Sequence, residues 1–523
     1  MANWSEVAPL LPGDRDKHPE LFYYSGLFRL KSFADLARAA VEAKNRFLPL
    51  STKAYVNYSP PLSEQLTWDR RGHDPFLCHR NGAFEMGWTE DWLGYGASPQ
   101  QMSTMYAQLR AAGAPERQPL GGYMVAGSGG ARLLRIKYYE MIAAGVRCVD
   151  VYNYGPHYAS CDSWSTSTDI LTVLRDVQFE LGAIDEALHG TVRHKTDVAI
   201  LYNRTAGIWM YQTSAFEQDS RFIQWTLAHA GYDADFIPEE DIEAGKLAEY
   251  KVLYLNGPQI RPQAADKIAA WVKAGGVLVG SAGAGSRDTF DRPLATLTPV
   301  FGAESADLKL ERDAGRPKYE LRSQPTLAIA ATVAGTAAPS VRMRQLCARE
   351  TLQPLTGAVT ILAFTNGAPA GVFNHCGKGA AIRLATLPGI AYLHEAIRDM
   401  SYDADTYSPT NYPPAVRDFI AWPAAMTGAF RTAQASSPIA EVVRYDGPNR
   451  AVLFVIDHRM RSDVDFRMTV AEAAQFNMAR TARGAVVRMR RTKDGALELA
   501  FPLDQADAVV LEKRSLWNRM FAR

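Results

Sequence analysis

Asp197-Val-Ala-Ile-Leu-Tyr202, Lys251-Val-Leu-Tyr-Leu-Asn256 and Gly275-Gly-Val-Leu-Val279 decide the fold. Each is a short apolar run rich in β-branched residues and bounded by polar or glycine punctuation. A strand that is buried on both faces reads this way. Between them lie longer segments with helical spacing, Phe216–Ala230 and Pro262–Ala274. Strand alternating with helix implies a parallel sheet with crossover helices, here a doubly wound, flavodoxin-like or amidotransferase-like unit over residues 196–435. Ala380-Ala-Ile-Arg-Leu-Ala385 reads as a late strand of that sheet, and the β-rich stretch from about 308 to 373 as an insertion into it.

The block before it, residues 1–195, carries the same alternation. Phe28–Asn45 has Leu30, Phe33, Leu36, Ala40 and Val41 on one helical face. Strands are expected at Ala54–Tyr58, Ala83–Trp88, Leu120–Ala126 and Val146–Tyr152, with helices at 100–112, 133–144 and 171–188. Four strands make half of a (β/α) barrel of the TIM type, whose active sites lie at the strand C-termini. The block after it, 436–523, has short strands and the turn signals Asp446-Gly447 and Asp494-Gly495, as in a small β-sandwich.

Composition removes several classes of function. With 57 Lys and Arg against 56 Asp and Glu, net charge is +1, so no global field draws in nucleic acid or an anionic membrane. No apolar stretch reaches the roughly 18 residues that span a bilayer. The first residues lack a basic n-region and an apolar h-region, and the five scattered cysteines form no CxxC pair, so a reducing cytoplasm is expected. No metal site and no cofactor are expected: His157 has no partner at ligand spacing, and Ser128-Gly129-Gly130 and Gly283-Ala-Gly285 do not complete a phosphate loop.

The candidate chemistry gathers behind two strands. In Trp88-Thr-Glu-Asp-Trp92, Glu90 and Asp91 lie between two tryptophans. An apolar wall raises a carboxyl pKa and suits a general acid. The same carboxylates could bind sugar hydroxyls or pair with an arginine in a capping loop. Asp150, Tyr152, Asn153, Tyr154, His157 and Trp164 cluster at the end of the fourth strand. Aromatic faces and amides of this kind bind carbohydrate, and they equally make a packed barrel lid.

The order half-barrel, flavodoxin-like unit, small β-sandwich resembles the β-galactosidases of glycoside hydrolase family 42. The segments 197–202, 218–232, 251–256 and 275–279 resemble their oligomerisation domain. Gly377-Lys-Gly-Ala380 with Leu387-Pro-Gly-Ile390 is similar to that domain's end, and Val452–His458 to their last β-sandwich. The resemblance implies a β-linked glycoside ligand and a homo-oligomer, dimer or trimer, joined through the middle unit. It also implies that Ala54–Tyr58 to Val146–Tyr152 are barrel strands five to eight. In the family the acid/base glutamate ends strand four, here expected ahead of Met1 or missing. The nucleophile ends strand seven, and Gly121-Gly-Tyr-Met-Val-Ala126 holds no carboxylate. The family pair therefore does not transfer. The expectations are a β-galactosidase-like hydrolase, or a member that binds carbohydrate or serves as a scaffold without catalysis, or a part needing another half-barrel. Glutamine hydrolysis is disfavoured, because no cysteine sits at a strand-to-helix elbow near Asn256 or Ser281.

Overall fold

The computed structural model describes residues 10, 12–58, 74–91, 100–113, 118–127, 130–160, 163–210, 215–310, 328–331, 339–393, 396 and 412–513. Helix α1 (Pro19–Phe47) starts at a proline, whose missing N–H costs nothing in the first turn. It buries Phe22, Tyr23, Gly26, Leu30, Ala34 and Val41 along one stripe. It is longer than the periodicity predicts, and within the added turns Gly26 lets the helix approach Ile208, whose Cγ2 would lie 2.6 Å from a Cβ placed there.

After α2 (Pro75–Arg80), strands β1 (Gly87–Asp91), β2 (Leu120–Val125) and β3 (Val146–Tyr152) form a parallel sheet in the order β1-β2-β3. Tyr58 makes a single parallel bridge to Thr89, which sets residues 53–58 along the outer edge of β1. The segment read as a strand at 54–58 is therefore one bridge. The strand read at 83–88 pairs instead at 87–91, since Ala83 and Phe84 are taken into the apolar core. Helices α3 (Gln101–Ala112) and α4 (Gly130–Ala143) cross between the strands, and α5 (Thr168–Leu188) follows. The helix-facing side of the sheet is closely packed: a Cβ on Gly122 would lie 2.1 Å from the Tyr106 hydroxyl.

Strand β4 (Val192–Arg193) leads to β5 (Val198–Tyr202), α6 (Arg204–Trp209), α7 (Ala215–His229), β6 (Asp235–Pro238), α8 (Glu239–Glu243), β7 (Val252–Leu255), α9 (Pro262–Ala274) and β8 (Val277–Gly280). Then come β9 (Ala303–Leu310), β10 (Ala328–Ala331), β11 (Arg342–Arg344), β12 (Ala348–Pro354), β13 (Val359–Phe364), β14 (Pro369–Cys376) and β15 (Gly379–Leu384). Nine of them share one sheet, β11-β10-β13-β14-β15-β8-β7-β5-β6, parallel from β15 to β6 and antiparallel beyond. Much of the stretch read as an insertion thus extends the central sheet, while β9 and β12 pair with each other. Alternate residues enter two cores. Val198, Ile200, Val252, Val277 and Ile382 face one, and Ala199, Leu201, Leu253, Leu278 and Ala381 face the other.

The remaining strands are β16 (Ala433–Ala435), β17 (Ala440–Gly447), β18 (Arg450–Asp457), β19 (Ser462–Val470), β20 (Met478–Thr481), β21 (Arg488–Arg491), β22 (Leu497–Asp504) and β23 (Ala506–Glu512). They make sheets β16-β19-β22-β21 and β20-β23-β18-β17-β4. Leu453 and Val455 pack between the two sheets, while Val452, Phe454 and Ile456 pack on Ile136, Tyr139 and Ile184 of α4 and α5. Burial on both faces explains the unbroken apolar run of β18. Among the described residues no helix is long and apolar enough to cross a membrane.

Candidate functional site

The second face of the β1-β2-β3 sheet carries the polar and aromatic residues. Residues level with one another on adjacent strands project to the same side, and a strand's side chains alternate. Glu90, Tyr123 and Asp150 are level, as are Trp88, Gly121 and Cys148, and Val125 with Tyr152. One face therefore presents Trp88, Glu90, Tyr123, Cys148, Asp150 and Tyr152, with the buried Val125. Gly121 leaves the room that Trp88 fills: a Cβ there would lie 2.4 Å from the indole ring.

The aromatic rings form a continuous ladder. Tyr55 stacks on Trp88 with centroids 4.2 Å apart at 19°. Trp88 meets Tyr123 edge-on at 5.0 Å, and Tyr123 meets Tyr152 at 5.9 Å. Trp88 is buried, whereas Cys148, Asp150 and Tyr152 are exposed. The Tyr55 and Tyr123 hydroxyls are 3.4 Å apart. That hydrogen bond, then burial, then the negative charge of Asp150 and others, push the Tyr55 phenol up to about 12. At neutral pH it is a hydroxyl, able to donate or accept.

Glu90 is half-buried, and one carboxylate oxygen accepts from Asn57 Nδ2 at 2.5 Å. Asn57 comes from the edge segment that the Tyr58 bridge holds beside β1. The tryptophan wall expected around Glu90 differs: Trp88 stacks on Tyr55, and Trp92 and the Asp91 side chain lie outside the described residues. Asp91 itself ends β1, level with Met124.

Beyond β3 the peptide bond Tyr152–Asn153 is cis. Tyr154 packs edge-on against Trp164 at 5.4 Å. His157 is exposed, its backbone N–H donating to the Thr166 hydroxyl at 3.1 Å and its Nδ1 lying 3.4 Å from the Ser163 carbonyl. Of the residues singled out from sequence, Trp88, Glu90, Asp150 and Tyr152 thus share the sheet face. Tyr154, His157 and Trp164 belong to the loop that folds on itself past the end of β3. Tyr55, Asn57 and Tyr123 were missed. The signal for the two tyrosines is the alternation in Tyr55-Val-Asn57 and Gly121-Gly-Tyr123, where every second residue is aromatic, polar or glycine.

At the carboxyl ends of β5 and β7, where ligands bind in many doubly wound folds, the amide groups of Asn203 and Asn256 are engaged internally, while Tyr202 Oη, Asn256 Oδ1 and Gln259 Oε1 have no hydrogen-bond partner among the described residues. Asn203 Nδ2 donates to the Asn256 and Gln259 carbonyls at 2.8 and 3.0 Å. Asn256 Nδ2 donates to Asp219 at 2.9 Å.

No protein-family model and no curated protein matches the chain. Solved structures do. A catalytic mutant of a family 42 β-galactosidase from G. stearothermophilus aligns with TM-score 0.68 at 13% identity, over 98% of this chain and 71% of that one. The chain resembles the family 42 β-galactosidases. The cold-adapted β-galactosidase from Rahnella sp. R3 aligns at TM-score 0.66 and 16% identity, with the same coverage. The β-galactosidase from Bacillus circulans sp. alkalophilus aligns at 0.60 and 14%, over 84% of this chain. The chain spans 62% of that last enzyme's length. At these identities the likeness is one of fold, and the fold is glycoside hydrolase-like.

Proposed function

We propose that the chain engages a β-linked glycoside on the partly exposed face of the β1-β2-β3 sheet, with Glu90 as the group that donates a proton to the glycosidic oxygen. The observation that carries this reading is the level row Glu90–Tyr123–Asp150 beside the ring ladder Tyr55–Trp88–Tyr123–Tyr152. Ring faces take the C–H surface of a sugar, while carboxylates and phenols take its hydroxyls. Carboxylates two strands apart stand about 9.6 Å from each other at Cα, given a strand spacing of about 4.8 Å. That is wider than the roughly 5–5.5 Å between the carboxyl groups of a retaining pair, although side-chain reach alters it. Asp150 therefore orients substrate or water rather than serving as a nucleophile in contact with Glu90.

A second reading, a protein that binds the glycoside without cleaving it, draws support from β2, which has no carboxylate where the resemblance calls for the nucleophile. The two separate on one variant. Glu90→Gln keeps the shape and the bond to Asn57, so stability should change by less than about 1 kcal/mol. If Glu90 is the acid, hydrolysis of nitrophenyl β-glycosides should fall by about 10²–10⁴. Wild-type protein that binds these glycosides without cleaving them establishes the binding reading instead. We further propose that the central sheet, whose strands β5, β7, β8 and β15 are buried throughout, belongs to a unit that joins subunits, to be read from light scattering.

A further inference from the structure

We infer that Glu140, Glu441 and His458 form a buried site for a first-row divalent cation at the junction of the helices behind the β1-β2-β3 sheet with the C-terminal sandwich. Glu140 lies on α4, Glu441 on β17, and His458 just after β18. All three are at least 95% buried, and one ligand atom from each lies within 4.8 Å of the others. Tetrahedral zinc, with bonds of about 2.0–2.2 Å, holds its ligand atoms about 3.4 Å apart. The Glu441–His458 pair already sits at 3.4 Å, so closure needs only a small convergence of Glu140.

The hydrogen bonding around Glu441 points the same way. Its Oε2 is approached by Gln100 Nε2 and His458 Nε2, both at 3.4 Å, beyond the usual 2.7–3.2 Å for N–H···O. The other ring nitrogen, His458 Nδ1, is buried without a hydrogen-bond partner among the described residues. Gln100 is itself fixed from behind. Its Oε1 is 2.9 Å from His229 Nε2, and His229 Nδ1 is 2.9 Å from the Tyr392 hydroxyl. With Tyr392 donating to Nδ1, His229 donates from Nε2 to Gln100 Oε1. Gln100 then turns its amide N–H toward Glu441. The chain of contacts ends on a carboxylate with long contacts, beside a second buried carboxylate and an imidazole. Two carboxylates with one imidazole suit zinc or manganese. The cation would tie α4 to the sandwich and would make no contact with a glycoside, so the inference stands apart from the proposed function.

The test uses the full chain, stripped with chelator and exchanged into metal-free buffer. Titration calorimetry with Zn²⁺ and Mn²⁺, metal content per chain, and Tm are then measured. One Zn²⁺ per chain and a rise in Tm of several degrees are expected. Glu441→Gln and His458→Ala should each weaken Zn²⁺ by at least tenfold, about the low end of what loss of a supporting group alone costs. His458→Cys should keep zinc but lose manganese, because a thiolate favours zinc over manganese. Wild-type protein that binds neither ion with a Tm shift overturns the site. So does a Glu441→Gln/His458→Ala double variant that holds as much zinc as wild type.

Discussion

Strands β5 and β3 come from the same strand-helix alternation, and they end in opposite environments. Every residue of β5 is buried, with helices over both faces of its sheet. In β3 only Val146 is buried, and Arg147, Cys148, Asp150 and Tyr152 reach solvent. The local pattern that makes a strand is shared. What differs, among the described residues, is how much of the second face is covered. A sheet covered twice is a scaffold, and a sheet covered in part keeps a face on which polar and aromatic groups can meet a ligand.

The largest expected contrast is electrostatic. Arg383 of β15 is buried and bonded through Nε to Glu350 at 2.7 Å. Arg383→Leu leaves a buried carboxylate without its partner and should cost about 3–5 kcal/mol in urea unfolding. Asp150→Asn, on the partly exposed face, should stay within about 0.5 kcal/mol. Equal costs would break the comparison. Next comes the covered side of the β1-β2-β3 sheet itself. Gly122→Ala drives a methyl against the Tyr106 hydroxyl and should cost about 1–3 kcal/mol. The central sheet should also respond to pH by a few degrees in Tm. Burial raises the Asp219 carboxyl from 3.8 to about 7. The folded chain then keeps a proton that the unfolded chain has released. That contribution is fully present below the ordinary carboxylate range and is lost as pH rises through about 7. Asp219→Asn should flatten the slope between about pH 4 and 7, leaving the parts due to Asp507, Asp235 and Glu239, which burial raises in the same way. The smallest expected stability effect is Tyr152→Ala, within about 0.5 kcal/mol because the ring is already half in water.

Much of this contrast was legible in the sequence. The unbroken apolar runs at 198–202, 252–255 and 277–280 could only be strands covered on both sides. The role of 359–376 was not legible, because antiparallel strands added to the edge of a parallel sheet carry no signal of which sheet they join. At the site, Glu90, Trp88, Asp150 and Tyr152 could be found because polar and aromatic residues end apolar strands there. Asn57 could not, since its bond to Glu90 depends on the single Tyr58–Thr89 bridge. Nor could Glu140, Glu441 and His458: a ligand set drawn from positions some three hundred residues apart has no spacing to read, and it forms only where α4 packs on the sandwich.

The central claim is that the partly exposed face of the β1-β2-β3 sheet is a glycoside site. Titration calorimetry of nitrophenyl β-galactoside against wild type, Tyr123→Ala and Tyr152→Ala, each checked for folding by circular dichroism, tests it directly. Saturable binding by wild type that falls about five- to tenfold in both variants is the predicted result, roughly the 1–1.5 kcal/mol expected of one lost aromatic contact. Saturable binding that neither variant weakens, or no binding of any β-glycoside by wild type, contradicts it.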